Sequence, residues 1–299
     1  MAIFNLGSLN VDYFYRLQRL PAPGETLSTI DRAQGLGGKG ANMSMAAARA
    51  GARVSHIGAV GADGAWIVQR LAEDGVDTTY ITQVAVPTGH AIVMVAADGE
   101  NAILVMAGAN HALCETQIEQ ALLTAQRGDT LLMQNETTLQ RQAAGLARDC
   151  GMRVAYAAAP FEAEAVQVLL PFLDILILNA VEAAQLQEAT GQKISQLPIR
   201  QVIVTQGHKG ALLFDNGQKT RQSFSALSVQ AVDTTGAGDT VAGYILAACD
   251  RGETIEHAMA WAMCAGALMV MRRGTADVIP RLAEVAAVES AQGPLRPAS

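Results

Sequence analysis

The residues with the clearest capacity for chemistry lie in Val232-Asp233-Thr234-Thr235-Gly236-Ala237-Gly238-Asp239-Thr240. This stretch follows an alternating run, Ala226–Val232, and precedes an apolar run, Val241–Ala248, of helical composition. A strand, a glycine-rich turn and a helix in that order leave several backbone N–H groups aimed at one spot. The helix N-terminus adds partial positive charge there. The turn Gly236-Ala237-Gly238 is therefore expected to hold an anion, with the Asp239 carboxylate beside it. A base next to a phosphate cradle suits phosphoryl transfer to a hydroxyl. The same residues also read as an ordinary turn in which Asp239 steadies a helix N-terminus.

A second glycine-rich stretch, Gly35-Leu36-Gly37-Gly38-Lys39-Gly40, leads through Ala41-Asn42 into an Ala-rich helix, Met43–Ala50, ended by Gly51. Its spacing matches G-x-G-x-x-G, the fingerprint of dinucleotide sites. That fingerprint follows a buried apolar strand, whereas the residues here are Ile30-Asp31-Arg32-Ala33-Gln34. Glycines placed for close helix packing are the plainer alternative. There is no G-x-x-x-x-G-K-[ST], and no protein-kinase catalytic loop or D-F-G. The five His residues show no H-E-x-x-H or similar spacing, so no zinc site is expected.

These stretches need a frame. Short apolar runs at Ala2–Gly7, Val54–Val60, Thr130–Gln134, Val154–Ala157, Ile175–Leu178 and Val202–Thr205 read as strands. Helices are expected at Ala65–Asp74 and from about Leu139 to Cys150. Continuous apolar strands separated by helices indicate a mostly parallel sheet covered on both faces. In such sheets ligands bind beyond the carboxyl ends of the strands. Glu136, Asn179, Gln206-Gly207 and Asp239 all follow expected strand ends, so they should meet at one edge. Two further pairs of runs lack flanking helices. Tyr13–Leu17 with Thr26–Gln34, and His90–Ala97 with Asn101–Ala107 around the turn Asp98-Gly99-Glu100, read as a small sheet that could serve as a lid.

Bulk properties bound the partners. The 299 residues are 50% hydrophobic and 16% charged, which fits a compact α/β enzyme, and only the tail after about Ser290 reads as disordered. A net charge of -7 without a Lys/Arg cluster argues against nucleic acid. Cys114, Cys150, Cys249 and Cys264 form no C-x-x-C pair and are expected to be buried free thiols in a reducing compartment. Met1-Ala2-Ile3-Phe4-Asn5 has no basic n-region, so no signal peptide is expected. The uncharged run Ala258–Met271 is too short to span a bilayer, which leaves a cytoplasmic protein.

Gly37-Gly38-Lys39-Gly40-Ala41-Asn42 followed by Asp233-Thr234-Thr235-Gly236-Ala237-Gly238-Asp239 resembles the paired signatures of the ribokinase (PfkB-type) carbohydrate kinase family. The likeness covers nearly the whole chain, from Gly7-Ser8-Leu9-Asn10-Val11-Asp12 to Arg273-Gly274. It includes Pro21–Thr26, Pro87-Thr88-Gly89, Gly108-Ala109-Asn110 and Asn179-Ala180-Val181-Glu182. Within the family, Leu132-Met133-Gln134-Asn135-Glu136 and the first signature look most like the ribokinase branch.

The resemblance implies a three-layer α/β/α fold with a mostly parallel central sheet, a single domain over 1–299, and lid strands inserted at about 11–34 and 87–108. It implies that Asn10, Asp12, Gly38, Lys39, Asn42 and Glu136 hold a sugar, whose hydroxyls both donate and accept hydrogen bonds. Asp239 would be the catalytic base and Gly236, Ala237 and Gly238 the anion hole. A carboxylate with an ordinary pKa near 4 would take the proton late. Asn179 and Glu182 match an N-x-x-E that positions Mg²⁺ largely through water. Thr205, Gln206, Gly207 and Gly210, with Gly238 and Met263, match positions bordering the nucleotide. Asp233 and the carbonyls of Thr235, Met269, Arg272 and Gly274 match a monovalent-cation site, often for K⁺. Val278 replaces a common hydroxyl ligand there, and Met43-Ser44 replaces Gln-Ala after the first signature.

The expected activity is ATP-dependent, Mg²⁺-requiring phosphorylation of a sugar, D-ribose to D-ribose 5-phosphate in the first instance. The family's alternatives are a fructokinase, a 2-keto-3-deoxygluconate kinase or a nucleoside kinase. A regulator that binds sugar or nucleotide without turnover would have no use for Asp239, and a dinucleotide enzyme would bind NAD through Gly35–Gly40. A homodimer is expected because lid sheets in the family often pair. Val11–Leu17 and Ile92–Ala97 are the edges expected to be exposed.

Overall fold

A computed structural model of the chain describes residues 1–292. Its strands are β1 (Ile3–Leu6), β2 (Asn10–Leu17), β3 (Asp31–Gly37), β4 (Val54–Val60), β5 (Ile81–Gln83), β6 (Gly89–Ala96), β7 (Asn101–Met106), β8 (Thr130–Gln134), β9 (Arg153–Ala157), β10 (Ile175–Asn179), β11 (Gln201–Thr205), β12 (Ala211–Asp215) and β13 (Thr220–Phe224). The α-helices are α1 (Lys39–Arg49), α2 (Ala65–Glu73), α3 (Glu115–Leu122), α4 (Gln140–Asp149), α5 (Ala163–Leu169), α6 (Ala180–Thr190), α7 (Ala237–Asp250), α8 (Ile255–Val270) and α9 (Leu282–Gln292). Helix α9 thus carries through Ser290, and the rest of the tail read as disordered lies outside the described residues.

The central sheet has the order β13-β12-β11-β10-β9-β8-β1-β4-β5 and is parallel from β11 to β5. Only the β11–β12 and β12–β13 pairings, at one edge, are antiparallel. Strand β10 shows why its run is continuously apolar. Ile175 and Ile177 enter one core cluster while Leu176 and Leu178 enter the other. Helices α1, α2, α7, α8 and α9 cover the first face and α3 to α6 the second. This is the expected three-layer arrangement, and parallel pairing brings the carboxyl ends of β1, β8, β10 and β11 to one edge.

The second sheet, β3-β2-β6-β7, stands at that edge as the expected lid. Strand β2 is antiparallel to β3 and parallel to β6, and β6 is antiparallel to β7. This corrects the expected exposed edges. Val11–Leu17 pairs on both sides, and Ile92–Ala96 lies between β2 and β7. The free edges belong to β3 and β7. In β7, Ile103, Leu104, Val105 and Met106 are each at least half exposed.

Three other expectations need correction. Ala226–Val232 forms no strand: it has no neighbour to pair with, and the N–H groups of Val232 and Asp233 both go to the Val270 carbonyl at the end of α8. The strands before the anion turn are instead the hairpin β12–β13. Strand β3 starts at Asp31 rather than Thr26 and runs on through Gly35-Leu36-Gly37. That stretch is therefore an antiparallel edge strand, which argues against a dinucleotide fingerprint. Among the cysteines, all free, only Cys264 is buried; Cys114 and Cys150 are exposed. No helix among the described residues is long and apolar enough to cross a membrane.

An ion-pair cluster braces the first face. The Arg49 guanidinium, at the end of α1, donates to both carboxylate oxygens of Asp74 at 3.0 and 2.9 Å. It also donates to the carbonyls of Ala276, Asp277 and Ile279. Arg70 and Arg281 complete the shell around Asp74, whose side chain is fully buried. Burial alone would raise the Asp74 pKa, but the three guanidinium groups hold it below the usual carboxylate range. Its contribution to stability is present above the ordinary Asp pKa and is lost as pH falls through the depressed value. Asp74→Ala should cost about 3–5 kcal/mol in denaturant unfolding at pH 7, because it strands a buried guanidinium. The gap from the native chain should narrow towards pH 3. A loss under about 1 kcal/mol at pH 7 would show that the three carbonyls satisfy Arg49 unaided.

Candidate functional site

The first turn of α7 leaves backbone donors open. Its N-cap, Gly236, sits at φ 76°, a left-handed conformation that favours glycine, and no side chain caps the helix. The Ala237 N–H is engaged with the Thr234 carbonyl at 3.2 Å. Among the described residues the N–H groups of Gly236, Gly238 and Asp239 find no acceptor, and the space where a Gly238 Cβ would stand is open. Asp239 itself is 7% exposed. Its Oδ2 accepts a 2.8 Å hydrogen bond from Asn42 Nδ2, joining the first turns of α1 and α7.

Opposite that turn lie the residues expected to hold a sugar. Asn10 and Asp12 are on β2 at the root of the lid, and Gly38 (φ 91°) separates β3 from α1. A Cβ on Gly37 would fall 2.0–2.2 Å from the Asp12 carboxylate, so only glycine fits beside that acid. The Asn10 side-chain oxygen accepts from Asn110 Nδ2, and Asn110 Oδ1 accepts from the Leu9 N–H, both at 2.8 Å. Glu136 follows β8. Its Oε2 accepts from the Lys39 N–H at 3.0 Å and from the Ser8 hydroxyl, which in turn accepts from the Gly40 N–H at 3.1 Å. Residues from other elements thus cap α1, which has no side-chain cap of its own. The buried Asn42 Oδ1 has no partner among the described residues.

The electrostatics follow from burial. The Asp239 pKa is pushed up to about 6 by burial, against the opposing pull of Lys39 and the Asn42 hydrogen bond. Asp12 rises to about 7 through burial and the neighbouring Glu136 carboxylate. The pKa of Lys39 is raised, chiefly by Asp239. Asp239 is therefore a stronger base than the ordinary carboxylate expected from sequence, though still far weaker than an alkoxide.

At the carboxyl edge, Asn179 and Thr205 are register partners on β10 and β11. Asn179 and Glu182 form a capping box on α6. Asn179 Oδ1 accepts from the Val181 and Glu182 N–H groups, and Glu182 Oε2 accepts from the Asn179 N–H at 2.7 Å. Burial raises the Glu182 pKa. Gln206, Gly207 and Gly210 form the turn between β11 and β12, closed by a 2.7 Å bond from the Gln206 N–H to the Gly210 carbonyl. Lys39, Asn179, Glu182, Thr205, Gly238 and Asp239 line one cleft. Met263 does not line it; this residue is 7% exposed within the core.

Asp233 accepts from the Thr235 N–H at 2.9 Å and the Gly274 N–H at 3.3 Å. It therefore stands between the anion turn and the segment after α8. The Met269 carbonyl accepts from the Arg272 N–H at 2.9 Å, and Val278 abuts Gly274, 3.5 Å from where its Cβ would lie.

Ser8, Asn110 and Thr275 were not singled out from sequence. Ser8 and Asn110 stand within the family-like motifs, and only their partners reveal what they do. The site as assembled offers open N–H donors for an anion, a buried carboxylate beside them, and convergent polar groups for a polyhydroxyl ligand.

Comparison with known proteins follows the same outline. The family model described as pfkB family carbohydrate kinase matches residues 3–282. The chain is 34% identical to ribokinase of Haemophilus influenzae over 92% of this chain and 94% of that one. It resembles the structure of Arabidopsis thaliana ribokinase complexed with ribose and ATP, at TM-score 0.85 and 30% identity, covering 96% and 99% of the two chains. Ribokinase from Cryptococcus neoformans in complex with ADP gives TM-score 0.82 and 32% identity over 96% and 99%.

Because the folded pKa values of Asp12 and Asp239 are raised, folding favours their protonated forms. That stabilisation is complete below the ordinary Asp value of 3.8 and is lost as pH rises through about 6 for Asp239 and about 7 for Asp12. Asp12→Asn and Asp239→Asn should therefore raise the thermal midpoint of the ligand-free protein more at pH 8 than at pH 5. Equal shifts at both pH values would contradict the burial argument.

Proposed function

We propose that this chain, which belongs to the pfkB family of carbohydrate kinases and is a ribokinase-type member of it, transfers the γ-phosphoryl group of ATP to the primary hydroxyl of D-ribose, giving D-ribose 5-phosphate. The observation that carries the reading is the buried Asp239 carboxylate set beside unpartnered N–H donors of the same helix turn. Asp239 orients the hydroxyl and takes its proton as the bond to phosphorus forms. The N–H groups around Gly236-Ala237-Gly238 stabilise charge on the moving phosphoryl group, usually a large contribution. Asn10, Asp12, Gly38, Lys39, Asn42 and Glu136 hold the sugar, and the unpartnered Asn42 Oδ1 is an acceptor for one of its hydroxyls. Thr205, Gln206, Gly207, Gly210 and Gly238 border the nucleotide, while Met263, buried in the core, stays behind that surface.

The residues suit two cations. Four carboxylates (Asp12, Glu136, Glu182 and Asp239) act on a single lysine, Lys39, an excess of negative charge that a divalent ion relieves. Asn179 and Glu182 would hold Mg²⁺ mainly through water, and the ion would supply charge neutralisation for phosphoryl transfer. A monovalent cation, K⁺ by the family resemblance, suits Asp233 with the carbonyls of Thr235, Met269, Arg272 and Gly274, near the negative end of α8. A homodimer is supported by the apolar, exposed β7 at the lid's free edge. Cytoplasmic residence fits four cysteines without a disulfide.

The deciding assay follows ADP release from Mg-ATP with D-ribose, fructose, 2-keto-3-deoxygluconate and nucleosides, each with and without K⁺. A kcat/KM highest for D-ribose supports the assignment, and a much higher value for another acceptor replaces it. Asp239→Asn should lower kcat about 10²- to 10⁴-fold, the usual contribution of a positioned base, while sugar affinity changes little. Retained turnover in that variant would remove Asp239 from the chemistry. In light scattering the native chain should be a dimer and Leu104→Glu a monomer; a monomeric native chain refutes the dimer.

A further inference from the structure

Thr275 is 6% exposed, and its hydroxyl donates to the Leu36 carbonyl at 2.8 Å. Leu36 is 1% exposed and is the penultimate residue of the lid strand β3, just before Gly37 and Gly38. The bond joins residues 239 apart in sequence, one in the main body and one in the lid.

Thr275 is held from both sides. Before it, the Gly274 N–H is bonded to Asp233, whose other oxygen accepts from Thr235, the residue preceding the anion turn. After it, the carbonyls of Ala276, Asp277 and Ile279 are gripped by Arg49, itself locked to buried Asp74. On the lid side, Leu36 leads into Gly37, which lies against the Asp12 carboxylate, and Gly38, which opens α1. A continuous run of covalent neighbours and named hydrogen bonds therefore links the anion turn to the sugar residues. Among the described residues the Thr275 hydroxyl is its single side-chain hydrogen bond to the lid strand.

We propose that Thr275 is a positioning residue that couples nucleotide binding at the α7 turn to sugar binding at the lid root, so that each ligand tightens the other. This rests on the kinase reading above. Coupling of this kind is reciprocal: whatever factor ADP applies to sugar affinity, sugar applies to ADP. Hydroxyl loss should cost about one neutral hydrogen bond, or roughly a fivefold change in an equilibrium constant.

The test is calorimetric titration of D-ribose with and without saturating Mg-ADP, and of Mg-ADP with and without D-ribose. Wild type, Thr275→Val, Thr275→Ala and Thr275→Ser are compared, with thermal unfolding to confirm folding. In wild type each ligand should tighten the other. Thr275→Val and Thr275→Ala should reduce that factor about fivefold, with each ligand's affinity alone changing less. Thr275→Ser, which keeps the hydroxyl, should retain the wild-type factor. A purely structural role would weaken both ligands alone and leave the factor intact, overturning the proposal, as would equal coupling in all four proteins or none in wild type. Failure of the kinase reading looks different: wild type would bind neither D-ribose nor Mg-ADP, and the proposal would fall with it.

Discussion

The site depends on the hydrogen bond from Asn42 to Asp239, which brings together the first turns of two helices far apart in sequence. Helices α1 and α7 pack against each other, and the bond sets their N-termini facing one place. Two helix dipoles then point at one place. The first-turn N–H groups of α1 are taken by Glu136, Ser8 and Gly38, whereas those of Gly236, Gly238 and Asp239 at the start of α7 find no acceptor among the described residues. The bond also points Asp239 without neutralising it, since an amide leaves the carboxylate its charge. Helix α1 is held in turn from outside itself, by Glu136 and Ser8 at its start and by the Asp74 and 276–279 contacts of Arg49 at its end.

Charge imbalance is the site's second constraint. Burial raises Asp12 and Asp239, and one lysine serves several acids. Held without ligand, such a cluster lowers its cost by taking up protons. On the kinase reading, a bound polyol would supply hydroxyl donors and a divalent cation would supply local positive charge, so the carboxylates would be better satisfied as the site fills. Stability is given up in the empty protein for electrostatics that suit the loaded one.

The lid is tied to the body by single, specific bonds where it meets the site. Asn110 holds Leu9 and Asn10 at the start of β2, and Thr275 holds Leu36 near the end of β3. At the root of β6, Asp63 accepts from both the N–H and the hydroxyl of Thr88, whose hydroxyl accepts from the Gly61 N–H. One of its two free edges, β7, exposes the apolar side chains of Ile103, Leu104, Val105 and Met106. A sheet anchored at its root and uncovered at its edge can respond to what binds beneath it.

Much of this was legible in the residues alone. Apolar runs such as Leu131–Met133 and Ile175–Leu178 became the cores of strands, because a parallel strand buried on both faces is apolar over most of its length. Gly236-Ala237-Gly238-Asp239 pointed to a glycine-led helix start, as found, because glycine and a helix start are local properties. Other features needed the tertiary structure. Ala226–Val232 alternates as a strand does but has no partner strand, and pairing is not a local property. Which lid strands lie at the edge depends on sheet order, so Val11–Leu17 proved central and β7 exposed. The raised pKa of Asp239 comes from burial among distant neighbours, and the Thr275–Leu36 bond spans almost the whole chain. Local chemistry could be read from the sequence; partners, burial and charge balance were decided only when distant segments met.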